Sequence, residues 1–260
     1  MRVLIKGAGD LASGIAKRLY ACGMQVLMTE IAVPTTVRRT VAYSRAVYEG
    51  SAEVEGLCAV CAPDAQTAVQ WAAQGKLVVL VDPSAAVRTA YAPDVVVDAI
   101  LAKRNLGTAL SDAPRVIGVG PGFTAGKDCH AVVETQRGHD LGRVLWRGSA
   151  KANTGVPGNI GGYTTQRLIR AGADGRFIPR AAIGDQVRAG QVVAHVEGTP
   201  VYAQIDGVLR GLLQEGVPVH AGMKAGDVDP RGCVEHCFTI SDKARAIGGG
   251  VLEAALAVRR

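Results

Sequence analysis

A chain of 260 residues, 48% apolar and 20% charged, can bury one large core or two ordinary ones without disulfide staples. Its net charge of +6 suits anionic ligands, but its basic residues form no run longer than Arg38-Arg39 or Arg259-Arg260. With aromatics at 4%, that argues against a nucleic-acid groove. No apolar stretch approaches the roughly 20 residues of a membrane span, and the first apolar run is too short for a signal peptide. A cytoplasmic protein with its six cysteines reduced is expected.

Arg2–Ile5 reads as a strand that runs into Gly7-Ala8-Gly9-Asp10-Leu11-Ala12-Ser13-Gly14. Ile15, Leu19 and Cys22 recur at helical spacing, Gly23 closes the helix, and a second strand, Gln25–Met28, leads to Glu30. This is a Rossmann arrangement. Gly7 permits the tight turn, Gly9 lets backbone approach a pyrophosphate, the helix start donates amides, and Glu30 stands where an acid meets a ribose hydroxyl. Gly7, Gly9, Asp10, Ser13, Gly14 and Glu30 are therefore candidate cofactor contacts. The competing reading is a Rossmann-like fold with a vestigial site.

Thr35 or Thr36 caps a predicted short helix carrying Arg38 and Arg39, which are placed to hold a second phosphate or to form an exposed basic face. Further strands are expected at Leu57–Cys61, Leu77–Val81 and Val95–Val97, with helices at Asp64–Ala73 and Pro83–Arg88. Cys58-x-x-Cys61 lies on a strand, where residues three apart face opposite ways, so core cysteines are expected rather than a redox pair. Asp82-Pro83-Ser84, at a strand's carboxyl end, either lines the crevice or caps a helix.

After the strand Arg115–Val119 comes the densest polar stretch, Gly118–His139. Gly120 and Gly122 suggest a second anion cradle with Lys127 as counter-charge. Cys129 is a candidate catalytic thiol, although His130, its strand neighbour, faces away from it. Arg137 and His139 complete the candidate contacts.

Asn153–Gly162 is a glycine-rich loop before a predicted helix, Tyr163–Ala171. Gly184-x-x-Val187-x-x-Gly190 then recurs as Gly216-x-x-Val219-x-x-Gly222, with short alternating strands between. The phrase looks like a biotinyl/lipoyl barrel-sandwich. Its hairpin tip, Glu197–Pro200, lacks the lysine a swinging-arm carrier needs. Cys233-x-x-His236-Cys237 offers three soft ligands without a fourth, so no metal is expected. Ser241 caps a last helix. The expected fold class is thus α/β, a Rossmann-like parallel sheet followed by a β-rich C-terminal module. The expected parcels are 1–112 (nucleotide binding), 113–175 (junction), 176–232 (barrel-sandwich-like module) and 233–260 (helical tail packing back on the first).

Taken together, KGAGDLASGIAKRL, VRRTVAYSRAVYEG, GPGFTAGKDCHAVVETQRGHDLGR, GDVDPRG and SDKARAIGGGVLEA resemble the YqeB-type family of selenium-dependent molybdenum hydroxylase system proteins. The first half is also similar to the Rossmann part of XdhC-type maturation factors. The resemblance implies an accessory or maturation factor that binds NAD(P) or a molybdopterin-type dinucleotide and assists cofactor insertion or modification. Its implied partners are a selenium-dependent molybdenum hydroxylase or that enzyme's maturation proteins, with no nucleic acid and no membrane, and a homo-oligomer is compatible with it. Cys129 would then carry a persulfide or selenide equivalent. Two alternatives stand beside it: an NAD(P)-dependent oxidoreductase with a C-terminal substrate domain, and a non-catalytic docking scaffold.

Overall fold

The computed structural model describes residues 1–258, and Arg259 and Arg260 lie outside the described residues. The chain divides into two units. Unit 1 takes Met1–Pro34, Ala42–Asn153 and the chain from Ile240 onward, and unit 2 takes Thr35–Val41 and Thr154–Thr239.

Continuous apolar runs, the mark of strands buried on both faces, build unit 1. β1 (Arg2–Lys6) is followed by α1 (Asp10–Ala21) and β2 (Gln25–Glu30). A short α2 (Ala46–Glu49) precedes the hairpin of β3 (Ser51–Val54) and β4 (Leu57–Ala62), which turns at Glu55-Gly56 with both φ angles positive. α3 (Ala65–Ala73), capped by Asp64, leads to β5 (Leu77–Val81), and α4 (Arg88–Tyr91) to β6 (Val95–Asp98). β7 (Arg115–Val119), β8 (Thr124–Ala125), β9 (Ala131–Val133), β10 (Val144–Leu145) and β11 (Gly148–Ser149) follow.

Nine of these strands join in the order β10-β9-β7-β6-β1-β2-β5-β4-β3. The inner strands are parallel, while β10 and β3 close the two edges antiparallel. α3 and the α4 region pack on one face over Leu4, Leu27, Val78, Val96, Val116 and Val132. The expectation of a Rossmann-like parallel sheet is corrected on three counts. The sheet is mixed. β5 lies between β2 and β4, whereas the Rossmann order would set the third parallel strand beside the second. The crossovers from β6 to β7 and from β7 to β9 carry no α-helix. The burial of the strands accounts for the order: β5 is almost wholly buried and suits an inner position, whereas β4 is only partly buried and suits a place near the edge.

Unit 2 contains β12 (Leu168–Arg170), β13 (Gly175–Pro179), β14 (Gln186–Val187), β15 (Val192–Val196), β16 (Thr199–Tyr202), β17 (Gly207–Leu212), β18 (Pro218–Val219) and β19 (Lys224–Asp229). They form two four-stranded sheets, β12-β19-β17-β14 and β16-β15-β13-β18, around Ile169, Phe177, Val193, Leu209, Leu212 and Val228. The expected biotinyl/lipoyl barrel-sandwich is corrected to this multi-strand β arrangement. It begins at Leu168, before the repeated phrase, and recruits a segment from far up the chain, with the Leu212 N–H donating to the Val37 carbonyl at 2.8 Å. The predicted helix at Tyr163–Ala171 is replaced by a 3-10 turn (Thr165–Arg167) and β12, because Leu168 and Ile169 pair with β19. The chain then returns to unit 1 as α5 (Asp242–Leu256), capped by Ser241, whose Oγ accepts the Ala244 N–H at 3.2 Å. Among the described residues, no helix is long and apolar enough to cross a membrane.

Candidate functional site

α1 leaves the carboxyl end of β1, so its amino end sits at the carboxyl edge of the sheet. α5 lies against it along small residues. A Cβ on Gly14 would stand 2.8 Å from the Ala244 Cβ, and one on Gly248 would stand 3.1 Å from the Gly14 carbonyl oxygen and 3.6 Å from the Arg18 Cβ. The contacts advance together along both helices, so the helices run in the same direction and their amino ends emerge side by side. Glu55 secures the pair. Its carboxylate accepts from Lys17 of α1 (2.9 Å) and from Arg245 of α5 (2.7 Å), and also from the Ile240 N–H (2.9 Å).

Four separated segments bring charge to this edge: Asp10 from α1, Lys103 after β6, Glu134 and Arg137 after β9, and Asp242 and Lys243 from α5. Most of these charges are engaged. Glu134 is buried and accepts from the N–H groups of Thr135, Gln136 and Lys151 at 2.7, 2.7 and 2.8 Å. Arg137 forks onto Asp242 at 2.5 and 2.8 Å. Lys243 differs: it is half-buried, and no hydrogen bond or ion pair holds it among the described residues. Burial first, and then the Arg137 guanidinium, push its pKa below the ordinary lysine value. Lys103 adds to this, while Asp10 and Glu134 oppose it.

Beneath the edge lies a buried chain of polar groups. The Lys6 Nζ donates to Thr108 Oγ1 at 2.5 Å, and Thr108 Oγ1 donates to Asp98 Oδ2 at 2.6 Å; Nζ and Oδ2 are 3.4 Å apart. It ties the ends of β1 and β6 to the loop that carries Lys103. Neither Lys243 nor this buried chain was legible in the sequence. Lys243 sits in SDKAR, where a helix cap explains the pattern, and Lys6, Asp98 and Thr108 lie far apart along the chain.

The first set of expected contacts is largely turned inward. Gly7, at φ +96°, is needed because a Cβ would stand 2.9 Å from the Ala99 carbonyl oxygen, a packing demand rather than a ligand's. Gly9 is the N-cap of α1, and Gly14 serves the contact with α5. Ser13 Oγ donates to the Ala8 carbonyl at 3.2 Å and accepts the Tyr43 N–H at 2.8 Å. Glu30 bends back to accept the Ala8 and Ile31 N–H groups at 2.9 and 2.8 Å, and burial raises its pKa against those two bonds. Asp10, in the first turn of α1, remains at the edge.

Within Gly118–His139 the residues disperse. Gly120 (φ +82°) packs on Thr135, and Gly122 (φ +109°) on the backbone of Arg104. Lys127 and His139 are exposed. Cys129 is fully buried, and burial pushes its thiol up to about 11, so it is not a thiolate near neutral pH. Arg38 and Arg39 belong to unit 2, where they donate to backbone carbonyls: Arg38 to His236 (3.0 Å) and Thr239 (3.3 Å), and Arg39 to Leu212 (3.1 Å). Cys58, expected in the core, is exposed, and Cys61 is partly so. Cys233 donates to Glu235 at 3.1 Å, while Cys237 is buried against the Leu209 carbonyl. No group of three or more metal-ligating side chains converges among the described residues.

At the ends of β4 and β5 a cleft of about 500 Å³ is lined by Pro63, Leu80, Val81, Pro83 and Val87, with Asp64 and Asp82 at its polar side. Both carboxylates are occupied by backbone amides, Asp64 by Thr67 and Asp82 by Val87, so the cleft brings no uncommitted charge to a ligand.

No family model matches the chain. Solved structures similar to it include an aspartoacylase family protein from Mesorhizobium loti, with 12% identity and a TM-score of 0.28. The product-bound ectoine utilization protein EutE (DoeB) from Ruegeria pomeroyi has 12% identity and a TM-score of 0.27. A succinylglutamate desuccinylase from Silicibacter has 13% identity and a TM-score of 0.26. Each comparison covers 87% of this chain and 84% of the other. Likeness this distant lends the chain neither fold nor activity. The glycine loop that the expected dinucleotide would occupy is turned inward, its glycines answering to packing against Ala99 and Ala244. The expected role as a maturation factor for a selenium-dependent molybdenum hydroxylase, which that loop was to serve, is corrected accordingly, and nothing favours the oxidoreductase or scaffold alternatives in its place. Over 252 residues the sequence is 51% identical to the uncharacterized protein YqeB of Escherichia coli (strain K12). The match takes in 97% of this chain and 47% of YqeB, so the chain spans about half the length of that relative.

Proposed function

We propose that unit 1 binds a small polar metabolite bearing an anionic group at the carboxyl edge of its sheet, with Lys243 as the principal cation. One observation carries the reading: Lys243 is half-buried and unpaired where four chain segments converge, while Glu134, Arg137 and Asp242 beside it are all engaged. An ammonium group in such a place has hydrogen-bond donors to offer a ligand at little cost in competing contacts. The first turn of α1 adds donors, because the amides of Leu11 and Ala12 have no carbonyl partner among the described residues. The six unbridged cysteines fit a reducing compartment, and we place the protein in the cytoplasm.

The test is a thermal-shift and calorimetric screen of anionic metabolites, carried out with the wild-type chain and Lys243→Ala. NAD(P) and molybdopterin-type dinucleotides belong to the screen, because their pyrophosphates would seek the same amides. A charge-assisted hydrogen bond is worth about 1.5–3 kcal/mol, so affinity for the true ligand should fall roughly ten- to hundredfold in Lys243→Ala. Equal affinity in the two proteins would sink the reading.

A further inference from the structure

From unit 2 we infer a second binding site, independent of the edge in unit 1: a recess beside Asp229 that takes a small phosphate-class oxyanion. What carries it is a shortage of hydrogen-bond acceptors within a buried layer of positive charge.

Val228 points into the core of unit 2, so Asp227 and Asp229, on either side of it, face outward from β19. The register of β17 against β19 shifts between Leu209 and Gly211, and Arg210, at the shift, meets Asp229. Arg167, immediately before β12, binds Asp227. Arg231 reaches back onto Asp229, and a 3-10 turn, Val234–Cys237, brings His236 beside it. Every one of these residues belongs to unit 2.

Here donors outnumber acceptors. Asp229 Oδ1 accepts the Arg231 backbone N–H at 3.1 Å and Arg231 Nε at 2.9 Å. Its Oδ2 accepts Arg231 Nη2 at 2.6 Å and Arg210 Nη1 at 3.3 Å. Four donors use up the lone pairs of a carboxylate. Arg210 Nε and His236 Nδ1 are left buried with no partner, the latter 3.9 Å from Asp229 Oδ2, and Arg167 Nε is in the same state. Charge is unbalanced in the same sense. Arg167, Arg210 and Arg231 face only two carboxylates, and the buried Arg38, which donates to the His236 carbonyl at 3.0 Å, adds a fourth guanidinium.

A buried donor without an acceptor is costly, and so is a buried charge without a counter-charge. Water would answer the first deficit and not the second. A small oxyanion answers both, because its oxygens accept hydrogen bonds and carry negative charge. Burial is graded across the recess. The Asp229 and Arg210 side chains are 0% and 7% exposed, whereas those of Arg231 and His236 are 45% and 40% exposed. The floor is closed and the rim is open. A phosphate borne on a larger molecule therefore enters with its ester group outside.

The experiment titrates the whole protein at pH 7 with inorganic phosphate and, separately, with glycerol phosphate. Calorimetry reads binding, and amide exchange across β17 and β19 locates it. Phosphate should bind and slow that exchange, and Arg210→Gln should weaken binding about ten- to hundredfold. Because a change at a buried arginine can unsettle the fold, His236→Ala at the open rim is the companion variant. It should keep the exchange pattern of the unliganded protein and lose about three- to tenfold in affinity. Lys243→Ala should bind phosphate as wild type does. Binding of the ester as well as the free ion would assign the site to phosphorylated molecules, and binding of the free ion alone would assign it to phosphate itself. Exchange unchanged by either compound, or equal affinity in wild type and both variants, would overturn the inference and leave the donors to water. Affinity lost in Lys243→Ala and kept in Arg210→Gln would put the anion at the edge of unit 1, which overturns this site and leaves that one standing.

Discussion

A residue placed for chemistry often works against the fold, and Lys243 offers a direct measurement of that conflict. Its folded-state pKa is lowered, so the folded chain gives up a proton that the unfolded chain keeps. The charged amine therefore opposes folding at neutral pH, and that opposition fades as pH rises from the lowered folded-state value to the unfolded one of about 10.4, above which it is gone. Lys243→Met should accordingly raise the melting temperature at pH 7 and leave it unchanged near pH 11. A stabilisation equal at both values would mean that packing, not charge, is responsible. Lys6 should behave in the opposite way. Its removal as Lys6→Met strands the buried Asp98 carboxylate, which should cost about 3–5 kcal/mol, and Asp98→Asn in the same chain should restore part of the loss. Chemical denaturation of the two single variants and the double variant measures the coupling directly.

At the level of the elements, the α1–α5 contact is the feature most exposed to substitution. Gly14→Val would push carbon into the Ala244 Cβ, 2.8 Å from where its own Cβ would stand, and into the Ala244 carbonyl. Overpacking of this kind costs about 1–3 kcal/mol, and the amino ends of both helices should move with it. Ligand affinity should therefore drop along with stability. A variant that loses stability but binds normally would separate the packing from the site. The glycines of the first loop were plainly legible in the sequence as glycines that must be glycine. Their reason was not: Gly7 and Gly14 answer to Ala99 and Ala244, neighbours 92 and 230 positions away that no local pattern announces. The Ser241 cap was legible because a cap is a local hydrogen bond. The segment at 163–171 misled because its helical spacing competes with pairing to β19, a partner more than fifty residues on. Lys243 and the Lys6–Thr108–Asp98 chain were hidden for the same cause, since only the strand order brings their parts together.

For the molecule as a whole, the two units should respond differently to acid. Unit 2 depends on Asp229, which is fully buried and meets Arg210 at 3.3 Å and Arg231 at 2.6 Å. Burial alone would raise its carboxyl, but Arg231 and then Arg210 bring it down to about 2. A depressed carboxyl contributes stability that is present above the unfolded pKa, about 4, and is lost as pH falls through the folded one. On the order of 2 kcal/mol should vanish from unit 2 between about pH 4 and pH 2. Asp229→Asn should be less stable than wild type at pH 7 and should meet it at the acid end. Amide exchange across β17 and β19 at both pH values is the appropriate measurement, and parallel profiles for the two proteins would count against Asp229 as the cause.

The return of the chain to unit 1 as α5 bears on the order in which the protein comes into being on the ribosome. The β-sheet of unit 1 and α1 are complete by Asn153, yet the helix that covers Gly14 and supplies Lys243 is not made until more than eighty residues later. During that interval one side of α1 lacks its partner, and the nascent chain holds neither Lys243 nor its cover. The proposed site is thus assembled only after unit 2 has been made, so a chain released before α5 has a sheet but lacks Lys243.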